Sequence, residues 1–145
     1  MRLDLYLAET RQLAARQSAV LDQAATLLDQ GRALSPLEEN GVLHSLQVLS
    51  ENAIGKAKHT LKAMNQPVPV SAYDAFKSLS IHGRVDSADL PIWNAVIGLR
   101  NRIVHDYLNL DIEVVLGLVA ERKHHFIRDY LMAEIGGIDE PSDHG

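Results

Sequence analysis

Arg100, Asn101, His105 and Tyr107 bring a permanent cation, an amide, an imidazole and a phenol into one eight-residue stretch, Arg100-Asn101-Arg102-Ile103-Val104-His105-Asp106-Tyr107. A guanidinium clamps phosphate oxygens through parallel N–H donors, and histidine is the side chain whose ordinary pKa suits proton transfer near neutrality. Together they supply what cleavage of RNA through its own 2′-hydroxyl needs without a metal: charge stabilisation at phosphorus and a group that moves a proton.

Spacing refines this expectation. On an ideal helix His105 falls about 140° around from Arg100, whereas Tyr107 falls within about 20° of it. Arg100 also projects into the apolar stripe of Trp93, Val96, Ile97, Ile103 and Val104, where an unpaired cation is costly. Glu51 is the expected counter-ion, because no other acid lies between Asn40 and Asp74. Cleavage works best with one group taking a proton and another giving one, so two copies around a twofold axis, each lending its arginine and histidine, make a more complete site than one chain. The plainer reading of the same spacing is an internal ion pair at Arg100 and a helix-end His105 that favours the helix dipole.

The elements that must hold these residues read as helices. Leu3, Leu7, Leu13, Ala14, Val20, Leu21, Ala24, Leu27 and Leu28 recur at three and four up to about Gln30, with Gly31 as the C-cap. Ser35-Pro36-Leu37-Glu38 reads as a capping box opening a second helix that runs to Met64, stopped by Asn65-Gln66-Pro67-Val68-Pro69. A short third helix spans Ser71 to about Ser80, with Gly83 as the turn after it. Ser87 or Asp89 caps a fourth, which carries the eight-residue motif at its C-terminal end, and Asp111 caps a fifth that continues through Phe126 and Tyr130 to Gly136-Gly137. The expected architecture is an all-α, up-and-down bundle of four to five helices over residues 1–135, with a loose tail over 136–145.

Composition narrows the function classes. The chain has 145 residues, so one domain, and any site must sit on its core scaffold or between subunits. There is no cysteine, which removes disulfides and thiolate metal sites, and no apolar stretch approaches a membrane span, so a cytoplasmic protein without a membrane partner is expected. The net charge of -5 counts against a broad RNA-coating role but leaves room for a small basic cleft. Lys56, Lys58 and Lys62 read as a solvated basic row. No two of His44, His59, His82, His124, His125 and His144 fall at the spacing that stacks imidazoles on one helical face, so no metal site and no cofactor are expected, and His124-His125 read as surface or interface residues.

The segment Gly98-Leu99-Arg100-Asn101-Arg102-Ile103-Val104-His105-Asp106-Tyr107 resembles the R-x-x-x-x-H-x-Y signature of HepT-like toxins, a branch of the HEPN ribonuclease superfamily, and Leu46 to Ile54, with Gln47 and Glu51, looks like that family's second helix. The resemblance implies a HEPN-like helical bundle that dimerises and a metal-independent endoribonuclease whose paired motifs form the site. Arg100 would stabilise phosphate charge, His105 would be the acid/base, and Asn101 would orient the site. Tyr107 would accept AMP from a cognate MntA-like nucleotidyltransferase antitoxin and so be silenced. A non-catalytic nucleotide-binding or docking subunit of a nucleotidyltransferase is the alternative, and a structural helical dimer a third.

Overall fold

The structure, a computed structural model, describes residues 3–135; the expected loose tail lies outside the described residues. Six α-helices follow in order: α1 (Leu3–Asp29), α2 (Pro36–Ala63), α3 (Ala72–Ile81), α4 (Leu90–His105), α5 (Ile112–Ala120) and α6 (His125–Met132). There is no strand among the described residues. Helix α2 lies against α1, α3, α4 and α6, so most of the bundle is assembled on it, while α5 packs on α1.

Local chemistry sets most of the helix ends. Ser35 Oγ accepts from the Glu38 N–H at 3.2 Å while the Glu38 carboxylate accepts from the Ser35 N–H at 2.8 Å, and Pro36 occupies the first turn, so the expected capping box is formed. Gly31, at φ +76°, ends α1 in a Schellman turn: its N–H donates to the Leu28 carbonyl and that of Arg32 to Leu27. The same pair of bonds closes α2 at Asn65 and α3 at Gly83.

Three boundaries differ from expectation. Asp86, rather than Ser87 or Asp89, provides the cap: its Oδ1 accepts from the Ala88 N–H at 2.9 Å and opens a 3-10 turn, Ser87–Asp89, that runs into α4. Helix α4 ends at His105, and Tyr107 lies in a separate 3-10 turn, Tyr107–Asn109. The expected fifth helix is two. Arg122 takes φ +58°, with its N–H bonded to Val119 and that of Lys123 to Leu118, a Schellman turn made without glycine or asparagine. Left-handed backbone costs such a residue about 1 kcal/mol or more. Bonds from Arg122 to Asp29 (2.8 Å) and to the Ala120 carbonyl (3.0 Å) help offset it.

The core follows the helical spacing. Leu21, Leu49, Ala53, Leu61, Phe76, Leu79, Trp93, Ile97, Val119 and Leu131 are buried, and Phe76 stacks on Trp93 at 4.3 Å with Phe126 and Tyr130 around them. Val104, expected in the apolar stripe of α4, is instead exposed. Lys56 is not on a solvated face: it is buried, donating to the carbonyls of Tyr130 (2.5 Å) and Ala133 (2.6 Å) at the C-terminal end of α6. Those carbonyls have no partner within their own helix, and the negative end of the dipole favours a cation there. Lys56 thus ties α6 to α2.

Candidate active site

Helices α2 and α4 cross so that Glu51 and Arg100 meet. Arg100 Nε and Nη2 donate to the same Glu51 oxygen at 3.1 and 2.9 Å, and Arg100 Nη1 donates to Asn101 Oδ1 at 3.1 Å. Gln47 Nε2 approaches the same Glu51 oxygen at 3.4 Å. The Arg100 and Glu51 side chains are 26% and 36% exposed, so the pair is neither dry core nor free surface. It forms one wall of an open cleft of about 490 Å³, whose other walls come from Ile54 and Lys58 of α2 and from Val70 to Tyr73 at the start of α3. The cation that the helical wheel aims at the core therefore stands at a cleft with its counter-ion in place.

His105 and Tyr107 are elsewhere. His105 is exposed at the last residue of α4 and does not line the cleft. Extrapolating the helix to Tyr107 fails because Asp106 leaves helical geometry, with φ -141° and ψ 41°, so Tyr107 does not share the Arg100 face. Its ring is 54% exposed, and its hydroxyl approaches Asn40 Oδ1 at 3.4 Å, near the start of α2. Asn40 and Glu51 are about 16 Å apart along that helix. One chain thus joins Arg100, Asn101 and Glu51, and holds His105 and Tyr107 outside their cleft.

Lys58 and Tyr73 add a cation and an aromatic ring to the cleft from outside the motif. Lys58 follows Glu51 and Ile54 at i+7 and i+4, a shared face that spacing could have revealed. Tyr73, on α3, had no signal in sequence; it reaches the cleft only through the packing of α3 on α2 and α4.

A second polar cluster sits between α1 and the start of α6. The break at Arg122 turns His124 and His125 toward α1, where both Nε2 atoms meet one Asp22 oxygen, at 2.7 and 2.6 Å. His124 is buried, which corrects its reading as a surface residue, and burial pushes its imidazole below its ordinary pKa. Burial raises the Asp22 carboxyl, but the hydrogen bonds from His124 and His125 outweigh it and leave the group below the usual carboxylate range. These three are the one group among the described residues with metal-ligand chemistry close together. Their separations are hydrogen-bond lengths, and the cluster clamps the start of α6 to α1.

The family model for HepT-like ribonucleases matches residues 12–132, and the chain belongs to that family. It is similar to an mRNA nuclease HepT of Shewanella oneidensis, 29% identical over 87 residues that make up 60% of this chain and 63% of the relative, less than two thirds of its length. Among solved structures the fold matches a toxin–antitoxin crystallised with AMP-PNP (TM-score 0.74, 19% identity, 87% of this chain and 95% of that one). It also matches a tri-AMPylated HEPN toxin of Shewanella oneidensis in complex with MNT antitoxin (TM-score 0.73, 22% identity, 89% and 98%). No helix among the described residues is long and apolar enough to cross a membrane.

Proposed function

We propose that this protein is the toxin of a toxin–antitoxin pair, an RNA endonuclease that works without a metal at a site shared by two subunits and is silenced by AMP transfer to Tyr107 from an MNT-type nucleotidyltransferase. The observation that carries the reading is the held guanidinium at an open cleft. Arg100 has five N–H donors, and three are engaged by Glu51 and Asn101, which leaves one hydrogen on each terminal nitrogen. That fork matches two phosphate oxygens, and its orientation is fixed before substrate arrives.

His105 is the acid/base. One copy takes the proton of the RNA 2′-hydroxyl as O2′ attacks phosphorus. The P–O2′ bond forms, the P–O5′ bond breaks, and the same imidazole, now protonated, returns the proton to O5′, giving a 2′,3′-cyclic phosphate and a 5′-hydroxyl, so that each of two sites pairs the Arg100 of one subunit with the His105 of the other. Arg100 steadies the charge on the non-bridging oxygens. Two subunits are needed because His105 lies outside the cleft of its own Arg100. Apolar residues on α4, α5 and the turn between them support such pairing: Ile92, Val104, Leu108, Val114 and Leu118 are exposed, and Ile92 and Leu118 line an apolar groove of about 350 Å³. The AMP-bearing state of a structural relative supports Tyr107 as the modified residue, since its phenol is exposed and adjoins the motif.

The test is cleavage of single-stranded RNA in EDTA, followed by mixing of inactive variants. Cyclic-phosphate products in chelator are expected, and a requirement for added divalent ion would overturn the mechanism. Arg100→Ala and His105→Ala chains should each be inactive and dimeric. Refolded together at equal amounts they should regain about a quarter of wild-type activity, because half the dimers carry one intact site of two. Mixtures as inactive as their parents would remove the shared site. A dimer that binds RNA or nucleotide without cutting it would favour the docking-subunit reading.

A further inference from the structure

The cleft extends past the Arg100–Glu51 pair, and what lies there is chemically specific. Tyr73 stands on its wall with 41% of its surface exposed, an aromatic ring open to solvent at the cleft, whereas Trp93 and Phe76 are buried in the core. Its hydroxyl lies 3.9 Å from where a Cβ on Gly98 would be, so the ring leans over α4 within one turn of Arg100. No hydrogen bond to that hydroxyl is made by the described residues, so packing alone sets the ring's position.

Lys58 stands on the α2 side of the same cleft. Its Nζ donates to the Val70 carbonyl at 2.7 Å, which fixes the ammonium beside the loop leading into α3 and leaves two of its three donors. Glu51 and Lys58 are about 10 Å apart along α2, so the cleft carries a second cation beyond the one assigned to the scissile phosphate. At about 490 Å³ it has the size of a small-ligand pocket. Ser71, also in the lining, is occupied in capping α3, where its Oγ accepts from the Asp74 N–H at 3.3 Å.

We propose that Tyr73 and Lys58 form a nucleotide subsite: the unpaired base next to the scissile phosphate stacks on the Tyr73 ring, and the phosphate beyond that base is held by Lys58. This rests on the reading of Arg100 as the phosphate-binding residue and adds the part of the site that grips the neighbouring nucleotide. Stacking on an aromatic face is available to every base. The subsite therefore requires a single strand and tolerates any sequence, and a base held in a duplex cannot reach the ring.

The experiment measures binding of a short single-stranded RNA blocked from cleavage by 2′-O-methyl groups, in parallel with cleavage of its unblocked form. Tyr73→Ala should weaken binding about tenfold or more, Tyr73→Trp should restore it, and thermal melts of both variants should match wild type. A strand carrying one abasic nucleotide, moved along the sequence, locates the stacked position. At that position the abasic strand should bind wild type and Tyr73→Ala equally, an equality that a merely structural role for the ring would not produce. Lys58→Ala should reduce the slope of log affinity against log salt by about 0.7. Wild-type protein that cuts RNA while Tyr73→Ala binds as well as wild type, or loses affinity equally for intact and abasic strands, overturns the subsite alone. Wild-type protein that neither binds nor cuts RNA overturns the reading of Arg100 as well.

Discussion

Raising the pH from neutrality to 10 is expected to stabilise this fold, and Lys56 is the reason. Burial pushes its ammonium from 10.5 down to about 8, with Arg11 adding repulsion. The residue is 2% exposed, and its charge is taken up by the carbonyls of Tyr130 and Ala133. In the unfolded chain the lysine keeps its ordinary value. Between these two values the unfolded chain holds a proton that the folded chain has released, so stability rises with pH. Below about pH 8 both states are charged and the gain is absent; above about 10.5 both are neutral and it is complete. Integrating the difference from pH 7 to 10 gives about 2.5 kcal/mol, and the two carbonyls, which prefer the ammonium, bring the expected value nearer 2. Tyr6 and Tyr130, both raised by burial, act the other way once unfolded tyrosine ionises, so the window closes near pH 10. Urea melts of wild type and Lys56→Met at each pH isolate the effect. The wild-type midpoint should gain on that of the variant by roughly 1 M across the window. Parallel midpoints for the two proteins from pH 7 to 10 would refute the reasoning.

Further outcomes follow from the site and the clamp. Glu51→Gln removes the counter-charge while keeping the shape, so KM for RNA should fall severalfold as repulsion from phosphate disappears, whereas kcat should drop about tenfold because the guanidinium loses its anchor; steady-state kinetics separate the two. Tyr107→Phe should cut RNA yet escape silencing by the nucleotidyltransferase and ATP, with mass spectrometry finding adenylate on Tyr107 of the wild type and none on the variant. Asp22→Ala strands the buried His124 N–H and should cost about 2 kcal/mol, a fall in Tm on the order of 5 °C by calorimetry, and Asp22→Asn, which keeps an acceptor, should lose less.

Much of this molecule was legible in sequence because the deciding forces act between near neighbours. The Ser35-Pro36-Glu38 box, the left-handed glycine after α1, the paired prolines after α2 and the three-and-four spacing of leucines are each settled within about one helical turn, so α1 to α3 appear where the residues place them. One long-range contact was legible too. An arginine on an apolar stripe needs a carboxylate, and Glu51 was the one acid between Asn40 and Asp74, so a partner 49 residues away followed from the cost of burying an unpaired charge.

Tertiary structure decided what local signals leave balanced. Glu121 to His124 contain no helix breaker, yet α5 stops at Ala120, because Arg122 can bond Asp29 on α1 and the following turn can deliver two histidines to Asp22. Lys56 reads as one of three solvated lysines until the end of α6, more than seventy residues later, offers it two unpaired carbonyls. The motif itself divides the same way. The residue types at Arg100, Asn101, His105 and Tyr107 name the chemistry, but where α4 ends and which helices flank it determine that only Arg100 and Asn101 face the cleft. An ideal helix can be extrapolated from sequence; the residue at which the chain leaves it depends on what the rest of the fold has ready to satisfy its last carbonyls.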